Sequence, residues 1–144
     1  MLLLSIHPRY VDAILAGDKQ FELRRRKPKI EEGPGLIYST SPRMELAATF
    51  QVASVTRAPL KKLWQLVRES ASVTRWEFDS YFHGLDTGVA IHLDDVAVLN
   101  TPVPLQVIRE HWPGFQPPQG FRYVTPDDAA RILGSRALPI RKAA

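Results

Sequence analysis

The 144-residue sequence predicts an α+β domain: a small mixed β-barrel of five to six strands, open or closed, with short flanking helices. Two observations predict it. Short β-rich stretches recur along the chain and alternate with short helical ones. Two of the strands break their own inside–outside parity, at Ala53-Ser54 and at Asp94-Asp95. Such a slip is the signature of a β-bulge, which bends a strand around a small barrel.

The elements follow in order. Leu2 to Ile6 reads as a first strand. Pro8 takes the first helical position, where its missing N–H costs nothing, and Tyr10, Val11, Ile14 and Leu15 recur at helical spacing until Gly17 closes the helix. Phe21 and Leu23 then alternate with Gln20, Glu22 and Arg24 in a half-buried strand. Leu36 to Ser41 is the next strand, stopped by Pro42, with a hydroxyl-rich end at Ser39, Thr40 and Ser41. A long strand starts at Glu45, with Leu46, Ala48, Phe50 and Val52 assigned to one face.

Pro59 opens a second helix through Leu60, Leu63, Trp64 and Val67, and a third spans Ser72 to Phe82. Val89, Ile91 and Leu93, then Val96 and Val98, mark a second long bent strand, with a sharp turn expected at Pro102 and Pro104. A helical turn over Leu105–His111 and a proline-rich loop from Trp112 to Gly120 follow. Phe121, Tyr123 and Val124 suggest a last strand, and Thr125-Pro126-Asp127-Asp128 opens a last helix, with Thr125 capping it. Residues 1–134 are thus expected to form one domain, with a loose tail over 135–144.

Composition narrows the function classes. With no cysteine, disulfides, thiolate catalysis and zinc–thiolate sites are excluded. The four histidines show no metal spacing, no glycine-rich phosphate loop or nucleophile elbow is present, and no metal or cofactor is expected. The short apolar run at Met1–His7 lacks a basic flank and reads as a strand, and no stretch has the ~20 apolar residues of a membrane span, so a cytoplasmic location is expected. The net charge is +4, and six of the nineteen basic residues fall between Lys19 and Lys29, which favours a polyanionic partner, nucleic acid first.

The stretch Gly17 to Arg26 concentrates the chemistry. Packing of its strand needs only Phe21 and Leu23, while the polar face carries Glu22 and Arg24 roughly 7 Å apart, with Lys19 at the mouth of the turn. A lysine beside a glutamate in a cleft can act as donor and general base. The same residues can read a base edge while Arg25 and Arg26 hold phosphate. They can also form an ordinary surface ion pair.

Gly17-x-Lys19-x-x-Glu22-x-Arg24 resembles the GxKxxExR motif of ASCH domains, relatives of the PUA fold. Ser5-Ile6-His7-Pro8, Tyr38-Ser39-Thr40-Ser41-Pro42 and Tyr81-Phe82-x-Gly84 resemble the motif's usual surroundings, so the likeness covers roughly residues 2 to 100. It implies a PUA-like barrel with a cleft beside the motif that takes RNA or a nucleotide, lined by Lys19, Glu22 and Arg24, with Ser39 and Ser41 following by position. Within the resembling family one group hydrolyses acetylated cytidine and another cleaves RNA. Where the amidohydrolase group carries a threonine nucleophile, three residues after the lysine, this chain has Glu22, so the resemblance does not extend to that chemistry.

The leading expectation is therefore a domain that binds RNA or a modified nucleotide through Lys19, Glu22 and Arg24, with Arg25, Arg26 and Arg43 on phosphates. The alternative is a ribonuclease or nucleoside hydrolase with Lys19 and Glu22 as its acid–base pair. A third reading places a protein partner on the Trp112–Gly120 loop.

Overall fold

The computed structural model describes residues 1–134 and the backbone of 141–142. In chain order the elements are β1 (Leu2–Ile6), α1 (Pro8–Leu15), β2 (Phe21–Arg24), β3 (Gly33–Ser39), β4 (Glu45–Pro59), α2 (Leu60–Val67), α3 (Arg75–Tyr81), β5 (Thr87–Pro104), α4 (Leu105–His111), β6 (Phe121–Tyr123), α5 (Pro126–Leu133) and β7 (Arg141–Lys142). They form one sheet in the order β2-β5-β4-β3-β1-β6, with β7 added to β5. Among the described residues only β1–β3 is parallel; every other pairing is antiparallel. β2 and β6 end the path, so the sheet is a curled half-barrel with a slit.

Bulges curl it. Register shifts between Val52 and Ser54 leave Ala53 extra, as the parity slip foretold, and the second slip falls at Asp95, whose φ is 44°. On β4 the Asp95 slip is the shift between Thr49 and Gln51, and a third shift lies between Leu46 and Ala48. This third shift corrects the expected face of β4. Ala48, Phe50 and Val52 enter the core inside the curl with Leu2, Leu4, Ile6 and Ile91, whereas Leu46 packs on the other side with Leu3, Leu99, Ile108 and Ile132. An extra residue flips every side chain beyond it, and alanine at both 47 and 48 hides the flip from a reading of apolar alternation. β1 is buried on both faces, which explains its unbroken Leu2-Leu3-Leu4 run.

The turn expected at Pro102 is also corrected: β5 runs on to Pro104. Its β4 partners jump from Ala48, opposite Val98, to Leu46, opposite Val103, so Pro102 falls in the gap, where no ladder donor is needed. The third helix starts later than expected, at Arg75, behind a capping box of Thr74 and Glu77. A third core cluster joins α2 and α3 to the sheet through Leu63, Val67, Phe78 and Phe82 against Leu23 and Ala90. Of the expected loose tail, Arg141–Lys142 pair with β5 as β7; 135–140 and 143–144 lie outside the described residues. The Trp112–Gly120 loop turns inward: Phe115 is buried, and its carbonyl accepts from Arg109 Nε at 3.0 Å. Among the described residues no helix is long and apolar enough to cross a membrane.

Candidate functional site

The slit is where the charged residues meet. α1 ends in a turn at Gly17, whose φ of 86° a side chain would resist, and the chain reverses into β2. Gln20 and Phe21 donate their backbone N–H groups to Ser70 O at 2.6 and 3.2 Å, docking the start of β2 on the segment between α2 and α3. Lys19 follows it inward. Its Nζ donates to Ala71 O at 2.6 Å and sits 4.9 Å from the centre of the Tyr10 ring, leaving the residue only 3% exposed. The lysine expected at the mouth of the turn is thus a buried amine.

Glu22 is buried as well. It lies on the polar face that the alternation of β2 assigns to it, yet it is 5% exposed, because Tyr10 of α1 and Glu77, Phe78 and Tyr81 of α3 stand around the cavity it lines. Arg24 Nη1 donates to Glu22 Oε1 and to Leu23 O, both at 3.0 Å, and Nη2 donates to Ser5 O at 3.0 Å. This last bond spans the slit from β2 to β1. Glu22 Oε2, Arg24 Nε and Ser5 Oγ are buried without a protein partner. Native interiors leave few polar atoms in that state, and such atoms concentrate at sites that hold something else.

These residues line a cavity of about 230 Å³. Ile6, His7 and Tyr10 form one wall; Val73, Glu77, Phe78 and Tyr81 form the other. Burial lowers the Lys19 pKa below the ordinary lysine value, the nearby Glu22 carboxylate partly offsets this, and the Arg24 and Arg9 cations reinforce it. Tyr81 is 39% exposed as a whole, yet burial still raises the pKa of its phenol, with the neighbouring Arg24 guanidinium opposing. Glu77 closes the rim. Its Oε1 accepts from Thr74 N at 3.0 Å and its Oε2 from Arg9 Nη2 at 2.7 Å, and these bonds, the backbone one first, hold its pKa at about 2. His7 Nδ1 accepts from Arg9 N at 3.2 Å, which caps α1.

Chemically the cavity offers a carboxylate acceptor, an amine donor and a guanidinium within one small, aromatic-walled space. It is smaller than the ~300–1,000 Å³ of drug-sized pockets, which suits a single base or sugar-sized group. Among the described residues no cluster of three or more histidine, aspartate or glutamate side chains is placed to hold a metal.

The other expected site residues spread around this centre. Arg25 Nη1 donates to Tyr81 O at 2.6 Å and His83 O at 3.3 Å, which puts it at the rim. Arg26 lies 5.7 Å above the Phe121 ring, away from the cavity. Ser39 is fully buried opposite Ile6, its Oγ unpartnered, and is not part of the lining. Ser41 is exposed beyond the strand end, and Arg43 forms a two-bond pair with Asp12 at 2.7 and 2.8 Å. Sequence reasoning missed Tyr10, Glu77 and Phe78 as site residues. For Glu77 a signal existed, since Thr74-x-x-Glu77 is a capping-box spacing, but it speaks only of a helix start.

Comparison with known proteins agrees with this architecture. The model of the ASCH domain family matches residues 4–97. An "ASCH domain-containing ribonuclease" from Zymomonas mobilis is 24% identical over 131 residues, which is 90% of this chain and 88% of that protein. The crystal structure of ASCH from Zymomonas mobilis superposes with a TM-score of 0.86 at 23% identity, covering 94% of this chain and 95% of that one. The N-terminal domain of Staphylothermus marinus McrB gives a TM-score of 0.57 at 12% identity, covering 93% of each.

Proposed function

The chain belongs to the ASCH family, and from that premise we propose that it binds RNA, taking one nucleobase or nucleoside into the cavity between β1, β2 and α3. The observation that carries this reading is Glu22 Oε2, a buried carboxylate oxygen with no protein partner, set between Lys19 and Arg24. An exocyclic amine is a donor that such an oxygen lacks. Lys19 donates to a base carbonyl or phosphate, Arg24 steadies the carboxylate, and Tyr10 and Tyr81 supply aromatic surface. Arg25 at the rim meets the adjoining phosphate. An RNA ligand is also what supports a cytoplasmic location.

Titration of labelled single-stranded RNA tests the reading. Affinity is expected to fall steeply with salt, as counterions are released from each neutralised phosphate, and to drop in Glu22→Gln. Absence of binding at low salt overturns it.

The Zymomonas relative favours a second reading, in which the bound RNA is also cut. A lysine with a lowered pKa holds a larger neutral fraction near neutrality, and a neutral amine still has N–H bonds for Ala71 O. Lys19 would take the proton of a 2′-hydroxyl as that oxygen attacks phosphorus, and the ammonium would return a proton to the departing 5′-oxygen. RNA cleavage that disappears in Lys19→Met supports it; tight binding with intact RNA leaves the binding reading alone.

A further inference from the structure

Resting on the RNA reading above, we propose that the segment Arg25–Lys29 and the two aromatic residues of β6 form a second subsite, which holds the nucleotides flanking the one in the cavity. The two sites are structurally continuous. Arg24, in the cavity, donates to Ser5 O, and Ser5 N donates at 3.0 Å to Gly120 O, the residue before β6. β6 pairs with β1 so that Phe121 lies opposite Leu4 and Tyr123 opposite Leu2, which sets both aromatic rings on one face of the end strand. Their centroids are 6.0 Å apart.

The basic segment is fastened onto those rings. Arg26 places its guanidinium 5.7 Å over Phe121, and Lys29 N donates to the Tyr123 hydroxyl at 2.7 Å. Arg25, Arg26, Lys27 and Lys29 are exposed, and Tyr123 is 41% exposed. Lys27 is paired with Glu31, but among the described residues no carboxylate forms an ion pair with Arg25, Arg26 or Lys29. Packing does not require an exposed tyrosine on this face, nor Arg26 and Lys29 without a carboxylate partner next to its rings. A charged strip tracking a backbone, with rings for bases to stack on, is the construction by which proteins hold single-stranded nucleic acid without reading its sequence. The occupant that fits is therefore single-stranded RNA, leaving the cavity past Arg25 and crossing Phe121 and Tyr123.

The experiment compares ligand lengths. The four nucleoside 5′-monophosphates and mixed-sequence single-stranded RNAs of three and six nucleotides are titrated by fluorescence or calorimetry against the wild type, Tyr123→Leu, Tyr123→Phe and Arg26→Gln. The subsite predicts that the six-nucleotide RNA binds more tightly than the monophosphates. It also predicts that Tyr123→Leu loses roughly tenfold of that affinity. Tyr123→Phe, which keeps the ring, retains most of it, and Arg26→Gln flattens the salt dependence. Monophosphate binding stays unchanged in Tyr123→Leu, and thermal melting confirms that the variant is folded. Equal loss in Tyr123→Leu for monophosphates and six-nucleotide RNA, or no loss for either, overturns the subsite. In that case a loss in Glu22→Gln still upholds the cavity reading, whereas failure of every ligand to bind sinks both.

Discussion

The arginine–carboxylate pairs Arg43–Asp12 and Arg24–Glu22 differ in kind, and their contrast shows where function concentrates. Arg43 meets Asp12 through two hydrogen bonds of 2.7 and 2.8 Å, with side chains 39% and 60% exposed. Arg24 meets Glu22 through a single bond of 3.0 Å, with side chains 13% and 7% exposed. By geometry the first pair is the better one, a fork on both oxygens. Water and salt screen it, and such pairs contribute little to stability. The second pair is poorly satisfied and buried beside another cation, Lys19. Desolvation makes each of its unmet bonds costly, so a ligand that supplies them gains most there. The quality of an ion pair does not mark the site; incomplete satisfaction under burial does.

The largest effect expected from this contrast is on Glu22. Glu22→Ala leaves two buried cations without their carboxylate and should cost about 3 kcal/mol of stability in chemical denaturation. RNA binding should be lost with it. A variant as stable as the wild type would break the contrast outright.

Lys19→Met comes next and should separate stability from function. Lys19 keeps its charge at the cost of desolvation, so an unbranched apolar replacement is expected to be close to neutral for stability while RNA affinity falls at least tenfold. The pH dependence sharpens the test. Because the folded pKa lies below the ordinary 10.5, the unfolded chain binds more protons in the interval between the two values. Stability contributed by this group therefore rises with pH across that interval, and the rise should vanish in Lys19→Met. An NMR titration of the lysine side chains that places Lys19 with the exposed lysines would refute the premise.

The same contrast explains what was legible in the sequence. The stretch from Gly17 to Arg26 stood out because an ordered Lys, Glu and Arg exceeded what Phe21 and Leu23 need for packing. Alternation along β2 correctly separated those two sets but could not tell solvent from a covered slit. The cover comes from α3, more than fifty residues away, held by Arg9 on Glu77. Glu77 was invisible as a rim residue because its capping role accounts for it locally. In the fold, the bulges at Ala53 and Asp95 announced themselves through broken parity, whereas the one at Leu46–Ala48 was masked by adjacent alanines.

A smaller effect is expected at Glu77. With its pKa at about 2, the stabilisation it gives α3 is fully present above the ordinary value of 4.5 and is lost as pH falls from there toward 2. The fluorescence of Trp76, its neighbour on α3, should stay constant from pH 7 to 5 and change below 4.5. In Glu77→Gln the same change should be present at pH 7 and be nearly independent of acid. A wild-type transition centred near 4.5 would mean that the bonds to Thr74 and Arg9 do not hold the carboxylate in solution.

The smallest effect belongs to the well-formed pair. Asp12 is held below its usual pKa by the hydrogen bonds from Arg43, yet both side chains are open to water, so Arg43→Gln should leave the melting temperature unresolved from wild type. Its effect on RNA should be equally slight, because a guanidinium already occupied by Asp12 presents little net charge to a phosphate. Asp12→Asn is the informative partner. It frees the guanidinium without moving the backbone, so if phosphate passes Arg43, affinity should rise and the salt slope steepen by up to about one charge. No change in either variant places the RNA path on the β2 side of α1 alone. A large loss in Arg43→Gln would show that an exposed and satisfied pair can carry binding after all, and would remove the ground for reading burial as the mark of the site.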